Sequence, residues 1–307
     1  MKTKTLRTFL VLGAKELRDI SAALATLPLL GLSYILPLSV MSTLCANVAS
    51  QVGILIPHLR IMGLSNLTIA FPEKSNAERL MILRQSWGNL GRVVTEYFYM
   101  DRLWDYDPSA LQRQRIEISG IENYKQLAQS VRGSIIVSAH LANWELPMLA
   151  AYHHELAATA LYKKPHNRWI TRIVLSFRRK SMGQLIEAGP AALSRLSQSL
   201  ANGIHVGMLV DQYHIRGVKV HFFGRQTKAG AIFAHLARLY DCPVHMVRVI
   251  RLPENRFRVE LGEALNLPRA EDGQIDIHGS VQLVTNIIEG WIREYPEQWL
   301  WMHRRWR

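Results

Sequence analysis

The segment Ser134-Ile-Ile-Val-Ser-Ala-His-Leu-Ala-Asn-Trp-Glu145 joins two different hydrophobic patterns. Residues 134–139 are apolar or small without a break, which is typical of a short strand buried on both faces. Residues 144–154 carry apolar side chains at helical spacing. A strand that leads directly into a helix is the building unit of an α/β fold. The segment therefore predicts a sheet covered by helices on both faces.

The same alternation extends along the chain on both sides of this segment. Further apolar or β-branched runs predict strands at 157–162, 204–210, 218–223, 244–250 and 256–261. Helical patterns lie at 75–100, 166–182, 190–202, 228–240 and 278–295. The first of these helices starts near Ser75, a residue type that caps helices. Functional residues are expected where the strands end, because ligands bind at that edge of an α/β sheet.

The N-terminal part has a different composition. No Asp, Glu, Lys or Arg occurs between Ile20 and Pro57, and this stretch is long enough to enter a bilayer. The apolar region of a cleaved signal peptide has only about 7 to 15 residues, so the stretch is too long for one. Basic residues that favour the cytoplasmic side precede it at Lys2, Lys4, Arg7, Lys15 and Arg18.

Two prolines, Pro28 and Pro37, interrupt this apolar stretch. Either one tilted span or a shallow hairpin of residues 20–37 and 38–56 fits the pattern. The alternative is a helical hairpin buried in a soluble core. We predict two parts: residues 1–60 as a basic N-terminus with a helical membrane anchor, and residues 61–307 as one larger folded domain.

Composition narrows the classes of partner. The chain has 307 residues with 37 Lys+Arg against 24 Asp+Glu, which gives a formal net charge of +13. Such an excess favours anionic partners: nucleic acid, lipid headgroups or an acidic protein. Zinc-finger, Gly-rich RNA-binding and helix-turn-helix signatures are missing and the charge is dispersed, so we do not expect nucleic acid. Two cysteines, Cys45 and Cys242, are too few for a disulfide scaffold or a Cys-based metal site.

His140 and Glu145 are the candidates for acid–base chemistry. Separated by five positions, they would point about 140° apart on a continuous helix, but they can meet across a strand-to-helix turn. A carboxylate bonded to one imidazole nitrogen fixes the tautomer, and the other nitrogen can then take a proton from a hydroxyl group. The alternative is that both have structural roles, as a capping His and a Glu in the first helical turn.

Five segments, in this order, resemble the signature boxes of the bacterial lipid A late acyltransferases of the lysophospholipid acyltransferase superfamily. The resemblance covers the chain from about residue 60 to its end, and the N-terminus is similar to that family's membrane anchor. The segments are Asn66-Leu-Thr-Ile-Ala-Phe-Pro-Glu73, His140-Leu-Ala-Asn-Trp-Glu145, Val210-Asp211-Gln212, Val220-His-Phe-Phe-Gly224 and Pro296-Glu-Gln-Trp-Leu-Trp-Met-His-Arg-Arg-Trp306.

This resemblance implies a function. His140 is similar to the general base that deprotonates an acceptor hydroxyl, and Glu145 to the residue that orients it. The hydroxyl then attacks a thioester on acyl carrier protein, so neither a metal nor another cofactor is expected. The implied acceptor is a lipid A precursor, at the bacterial inner membrane with the catalytic domain facing the cytoplasm. Another glycolipid or a lysophospholipid as acceptor is the alternative. The implied fold is a central mixed sheet flanked by helices.

The resemblance also implies a set of substrate-binding residues: Asn143, Tyr162, Lys163, Lys164, Arg178, Arg179, Asp211 and Gln212. The chain departs from the family at Tyr162-Lys163-Lys164-Pro165, where the family box has Tyr-Arg-Pro. Lysine cannot form the two-pronged phosphate contact of arginine, and which lysine takes its place stays open. For Arg178 and Arg179 the alternative is a solvated basic helix face. For Asp211 the alternative is a turn-forming residue.

Aromatic residues near the C-terminus allow two interpretations. Trp299, Trp301 and Trp306 stand among Arg304, Arg305 and Arg307, a combination that suits lipid headgroups. Packing of the indole rings beneath the sheet fits the pattern equally well. The pair Phe222-Phe223 favours the core, because adjacent aromatic residues on a strand must place one ring inside.

Overall fold

A computed structural model of the chain describes residues 26–164, 167–181 and 183–307. The basic residues that precede the apolar stretch lie outside these ranges. The helices are α1 Thr26–Ser33, α2 Leu38–Val52, α3 Pro57–Ala70, α4 Asn76–Tyr97, α5 Met100–Leu103, α6 Ile121–Gln129, α7 Leu146–His153, α8 Arg168–Ser181, α9 Ala192–Ala201, α10 Ile232–Tyr240 and α11 Ile277–Glu294. The strands are β1 Ile116–Ser119, β2 Ile135–Ser138, β3 Ala158–Tyr162, β4 Gln184–Glu187, β5 His205–Leu209, β6 Tyr213–Phe222, β7 Arg225–Ala229, β8 Val244–Leu252 and β9 Arg256–Ala264.

Seven strands form the central sheet, in the order β1-β9-β8-β2-β5-β3-β4. All neighbours are parallel except β8 and β9, which are antiparallel. Two strands at one edge therefore run against the other five. The predicted mixed α/β sheet flanked by helices is confirmed. Strands β6 and β7 form a separate antiparallel hairpin.

Local sequence signals explain the element bounds well, with some exceptions. Helix α4 begins after Ser75, whose hydroxyl accepts from the Glu78 backbone N–H while the Glu78 carboxylate accepts from the Ser75 N–H, a reciprocal capping box. The helix predicted from residue 228 begins only at Ile232, because residues 225–229 pair with β6 as strand β7. The predicted strand at 218–223 lies in this hairpin and not in the central sheet. Strands β1, β4 and β7 were not predicted.

The N-terminal helices pack against the rest of the protein. Pro37 caps α2 and separates it from α1, and the buried side of α2 lies along α4. Gly91 of α4 permits this close approach, since a Cβ atom there would lie 2.5 Å from the carbonyl oxygen of Cys45. The helical part of the predicted anchor is therefore in direct contact with the helix that carries part of the candidate site.

The outer side of α2 is apolar as well. Val40, Leu44, Val48 and Val52 recur at intervals of four residues, and each is about half exposed. Within the described residues, Leu38–Leu55 is the one helical segment long and apolar enough to cross a membrane, and 33% of it is buried inside the protein. A helix with one packed side and one exposed apolar side is suited to contact with lipid.

Candidate active site

The parallel pairing of β2 and β5 builds the centre of the candidate site. Ser138 of β2 is in register with Leu209 of β5. Two residues after these partners stand His140 and Asp211, so both side chains leave the sheet at the same carboxyl edge. This is the position at which α/β sheets bind their ligands.

The His140 imidazole is held by Asp211. Its Nδ1 atom lies 2.7 Å from Oδ1 of Asp211, and the backbone N–H of His140 donates to Oδ2 at 3.0 Å. The indole Nε1–H of Trp299 donates to the same Oδ2 at 2.8 Å. Three donors thus fix a carboxylate that is buried. Burial alone would raise the pKa of Asp211, but the charge and hydrogen bonds of His140 outweigh it, so the pKa is lowered.

The other ring nitrogen of His140 lies beside Gln212. With Nδ1–H donating to Asp211, Nε2 carries the ring's lone pair and accepts a long hydrogen bond from the side-chain amide of Gln212 at 3.4 Å. The ring of Trp144 stands beside the imidazole, with 5.2 Å between the ring centroids. The imidazole remains 16% exposed. The side chain is therefore partly open to an approaching acceptor hydroxyl.

Glu145 does not have the predicted place beside the imidazole. It is the N-cap residue just before α7, and its carboxylate accepts hydrogen bonds from the Tyr97 hydroxyl and from Arg178. The Nε–Oε2 distance to Arg178 is 3.0 Å. The start of the helix turns Glu145 toward α4 and α8, while Asp211 from the neighbouring strand takes the position at Nδ1. The expected His140–Glu145 contact is corrected to a His140–Asp211 contact.

Glu145, Tyr97 and Arg178 form a second charged cluster. The guanidinium also donates to the Tyr97 oxygen, at 3.1 Å. Burial raises the pKa of Tyr97 well above its ordinary value, and the neighbouring Glu145 charge raises it further. The pKa of Arg178 is raised, because Glu145 outweighs the effect of desolvation. Tyr97 thus stays a neutral phenol, and Arg178 stays a cation.

Asn143 is fully buried and its side chain is engaged within the protein, so its expected part in substrate binding stays a prediction. Its amide donates to Glu96 Oε2 at 2.8 Å and its Oδ1 accepts from the Glu145 backbone N–H at 3.1 Å. Glu96 is 0% exposed and forms a two-pronged ion pair with Arg251 of β8. Asn143 therefore holds the loop from His140 to Glu145 on an internal charge pair.

The remaining predicted binding residues lie at the end of β3 and on α8. The Arg178 guanidinium carbon is 5.8 Å from the centre of the Tyr162 ring at the end of β3. Lys163 and Lys164 follow and are exposed. Arg179 belongs to α8, but its side chain is outside the described part of the structure. The structure therefore places Tyr162 and Arg178 together and leaves the two lysines free to face solvent.

The C-terminal segment packs inside the protein. Trp299 and Trp301 are 0% exposed, and Trp306 is buried. This settles the earlier alternative in favour of packing, although Trp299 also reaches Asp211. His303 lies against Trp299, with 5.0 Å between ring centroids, and burial lowers its pKa to about 4. Sequence reasoning missed the contacts that Tyr97, Glu96, Arg251 and Trp299 make at the site. Of these four residues, only Trp299 lies in a segment that resembles a family signature, the segment 296–306.

No group of three or more His, Cys, Asp or Glu residues in the described ranges is arranged to hold a metal ion. The expectation of a reaction without metal or cofactor stays a prediction.

A family model and two similar proteins of known name all point to the same family. Residues 14–307 match the model of the bacterial lipid A biosynthesis acyltransferases. The chain is 24% identical to a lipid A biosynthesis palmitoleoyltransferase of Escherichia coli over 285 residues, which cover 89% of this chain and 86% of that protein. A lipid A biosynthesis acyltransferase of Shigella flexneri matches with the same identity and coverage.

A solved structure is also similar. It is the 1-acyl-sn-glycerophosphate acyltransferase of Thermotoga maritima, with a TM-score of 0.36 and 15% identity over 80% of this chain and 98% of that one.

Proposed function

Because this chain belongs to the bacterial lipid A biosynthesis acyltransferase family, we propose that it transfers a fatty acyl chain from acyl carrier protein to a hydroxyl group of a lipid A precursor. The observation that carries the mechanism is the 2.7 Å contact between His140 Nδ1 and Asp211 Oδ1. It leaves the lone pair on the second ring nitrogen of a partly exposed histidine, which can accept a proton once the acceptor hydroxyl replaces the Gln212 amide there.

In the proposed reaction, Nε2 of His140 removes the proton of the acceptor hydroxyl as its oxygen attacks the thioester carbonyl carbon. The buried Asp211 carboxylate stabilises the imidazolium that forms. The tetrahedral intermediate then collapses, the carbon–sulfur bond breaks, and the imidazolium returns the proton to the departing thiolate. The products are an ester on the acceptor and a free thiol on the carrier.

Glu145 has a supporting role in this scheme. It fixes Arg178 between Tyr97 and Tyr162, so that the cation keeps one position on the side of Glu145. Removing the Glu145 charge would leave Arg178 held by the Tyr97 oxygen, a neutral acceptor. The effect on turnover is therefore indirect and passes through the position of the guanidinium.

The anionic acceptor is proposed to meet the lysines beside Tyr162. A lipid A precursor carries phosphate groups, and Lys163 and Lys164 are exposed cations at the end of β3. The exposed apolar side of α2 supports association with the inner membrane, with the catalytic domain on the cytoplasmic face. Bound there, the enzyme would meet its lipid acceptor and its soluble donor at one surface.

The test uses purified full-length protein in detergent, with a loaded acyl carrier protein and a lipid A precursor as substrates. Mass spectrometry should detect the acceptor with one added acyl mass. His140→Ala should remove this product, and His278→Ala, an exposed histidine on α11, serves as the matched control. A His140→Ala variant with normal turnover would show that the proposed base is wrong.

A further inference from the structure

The β6–β7 hairpin begins next to the candidate site. Tyr213, the first residue of β6, directly follows Gln212, whose amide lies 3.4 Å from the His140 ring. The Arg307 guanidinium carbon stands 5.0 Å from the centre of the Tyr213 ring. The C-terminus of the chain therefore lies beside the base of the hairpin, close to the proposed base His140.

Part of this hairpin projects from the strand pair. Tyr213 and Val218 both pair with Ala229, so the four residues between them bulge outward. Gly217 allows this path, because a Cβ atom there would lie 2.0 Å from the Ala229 carbonyl oxygen. The bulge exposes His214, Ile215 and Arg216, and Ile215 is 66% exposed.

The cations of the hairpin are not balanced by carboxylates. Lys219 lies directly opposite Lys228 in the strand pair, an arrangement of like charges that destabilises a hairpin. The Lys228 ammonium group donates to the Ile215 carbonyl oxygen at 3.3 Å, and this hydrogen bond stabilises the bulge. In the described part of the chain, no Asp or Glu forms an ion pair with Lys219, Lys228, Arg216 or Arg225.

We infer that this hairpin is the docking surface for an acidic protein, the loaded acyl carrier of the proposed function on which this inference rests. Arg216 and Lys219 carry positive charges without carboxylate partners, and the exposed Ile215 lies close to them in the sequence. This combination is complementary to a negatively charged protein surface with a small apolar centre. A bilayer would require a wider apolar area, which the protein presents on α2 instead. A carrier bound at the hairpin holds its thioester arm beside Gln212 and His140.

The experiment measures transfer from two donors, the loaded carrier protein and the small thioester acyl-pantetheine, with Arg216→Glu and Lys219→Glu. Each charge reversal should raise KM for the carrier about tenfold with kcat little changed, because charges at the rim of an interface act mainly on association. Added salt should reduce the difference from wild type. Transfer from acyl-pantetheine should stay at the wild-type rate, since this donor lacks the protein surface.

Arg195→Glu is the matched control, an exposed cation on α9 that should leave both donors unaffected. Normal carrier KM in both hairpin variants would overturn the docking surface and leave the proposed function standing. A raised KM for the lipid acceptor, or weaker binding to anionic vesicles, with unchanged carrier KM would assign the hairpin to the acceptor or the membrane and also overturn it. Wild-type protein that accepts acyl-pantetheine but not the loaded carrier would contradict the proposed donor and the inference together.

Discussion

His140 and Asp211 meet at 2.7 Å although 71 positions separate them in the chain. The contact exists because β2 and β5 are neighbours in parallel register, and each of the two residues follows its strand by the same number of positions. The centre of the site is therefore the pair His140 and Asp211, and not His140 and Glu145, which are only five positions apart in the sequence.

Asp211→Asn should reduce kcat by about 10²- to 10⁴-fold, the usual contribution of assisted proton transfer. The new amide presents an N–H or a weaker acceptor to Nδ1, so the ring loses its fixed tautomer and the imidazolium loses its stabilising charge. Steady-state rates with saturating acceptor measure this. Asp241→Asn, which removes an exposed carboxylate paired with Arg269, is the control and should keep normal kcat. Full activity in Asp211→Asn would exclude Asp211 as the orienting group.

Trp299→Phe should lower kcat by about tenfold, because it deletes one hydrogen bond to a charged acceptor, a bond of about 1.5–3 kcal/mol. Trp301→Phe is a close control. That indole is also 0% exposed, but it donates at 2.7 Å to the Pro296 carbonyl oxygen rather than to Asp211. Both variants should lose similar thermal stability, whereas only Trp299→Phe should lose turnover. Equal kcat values for the two variants would mean that Trp299 acts by packing alone.

Glu96→Gln should lower the melting temperature strongly, since it leaves the Arg251 guanidinium in the interior without its counter-charge. Breaking one side of a buried ion pair typically destabilises by about 3–5 kcal/mol. The double variant Glu96→Gln/Arg251→Met, which removes both charges and keeps an oxygen acceptor for Asn143, should melt at a higher temperature than Glu96→Gln. Thermal unfolding in one detergent compares them. A double variant less stable than the single one would contradict this account of the pair.

Gly91→Ala should destabilise the packing of α2 on α4. A methyl group there would lie 2.5 Å from the Cys45 oxygen and 2.8 Å from the Ala49 Cβ atom, which forces the helices apart. Overpacking of this kind typically costs about 1–3 kcal/mol. Gly88→Ala is the control, because its nearest neighbour is 3.5 Å away and alanine favours the helix. Protease resistance and melting temperature should fall only for Gly91→Ala.

Lys163→Ala and Lys164→Ala should raise KM for the lipid acceptor more than they lower kcat. Contacts to a remote phosphate are about equally strong in the ground state and the transition state, so their loss acts on binding. Lys125→Ala on α6 is the control, since that exposed lysine pairs with Glu122. The larger effect identifies which of the two lysines replaces the family arginine. Unchanged acceptor KM in both would mark them as ordinary solvated side chains.

Local sequence patterns predict many of the individual helices and strands. The cap at Ser75, the apolar run before His140 and the helical spacing at 278–295 each correspond to an element with nearly the predicted bounds. One missed strand carries a weak signal: β7 reads Arg-Gln-Thr-Lys-Ala and has no apolar alternation. It is a strand because β6 supplies its hydrogen-bond partners, a condition that lies outside its own sequence.

For the site, the sequence by itself determined that a histidine and a following glutamate stand where a strand turns into a helix, and that Asp211 ends another strand. It did not determine which carboxylate meets the imidazole, because strand order is a property of distant backbone pairing. Strands β3 and β4 lie between β2 and β5 in the chain, yet β5 pairs directly with β2 in the sheet. Side-chain periodicity reports the environment of each strand and carries no information on its neighbour. Only the tertiary structure decides that Asp211 holds His140 and that Glu145 turns away to Arg178.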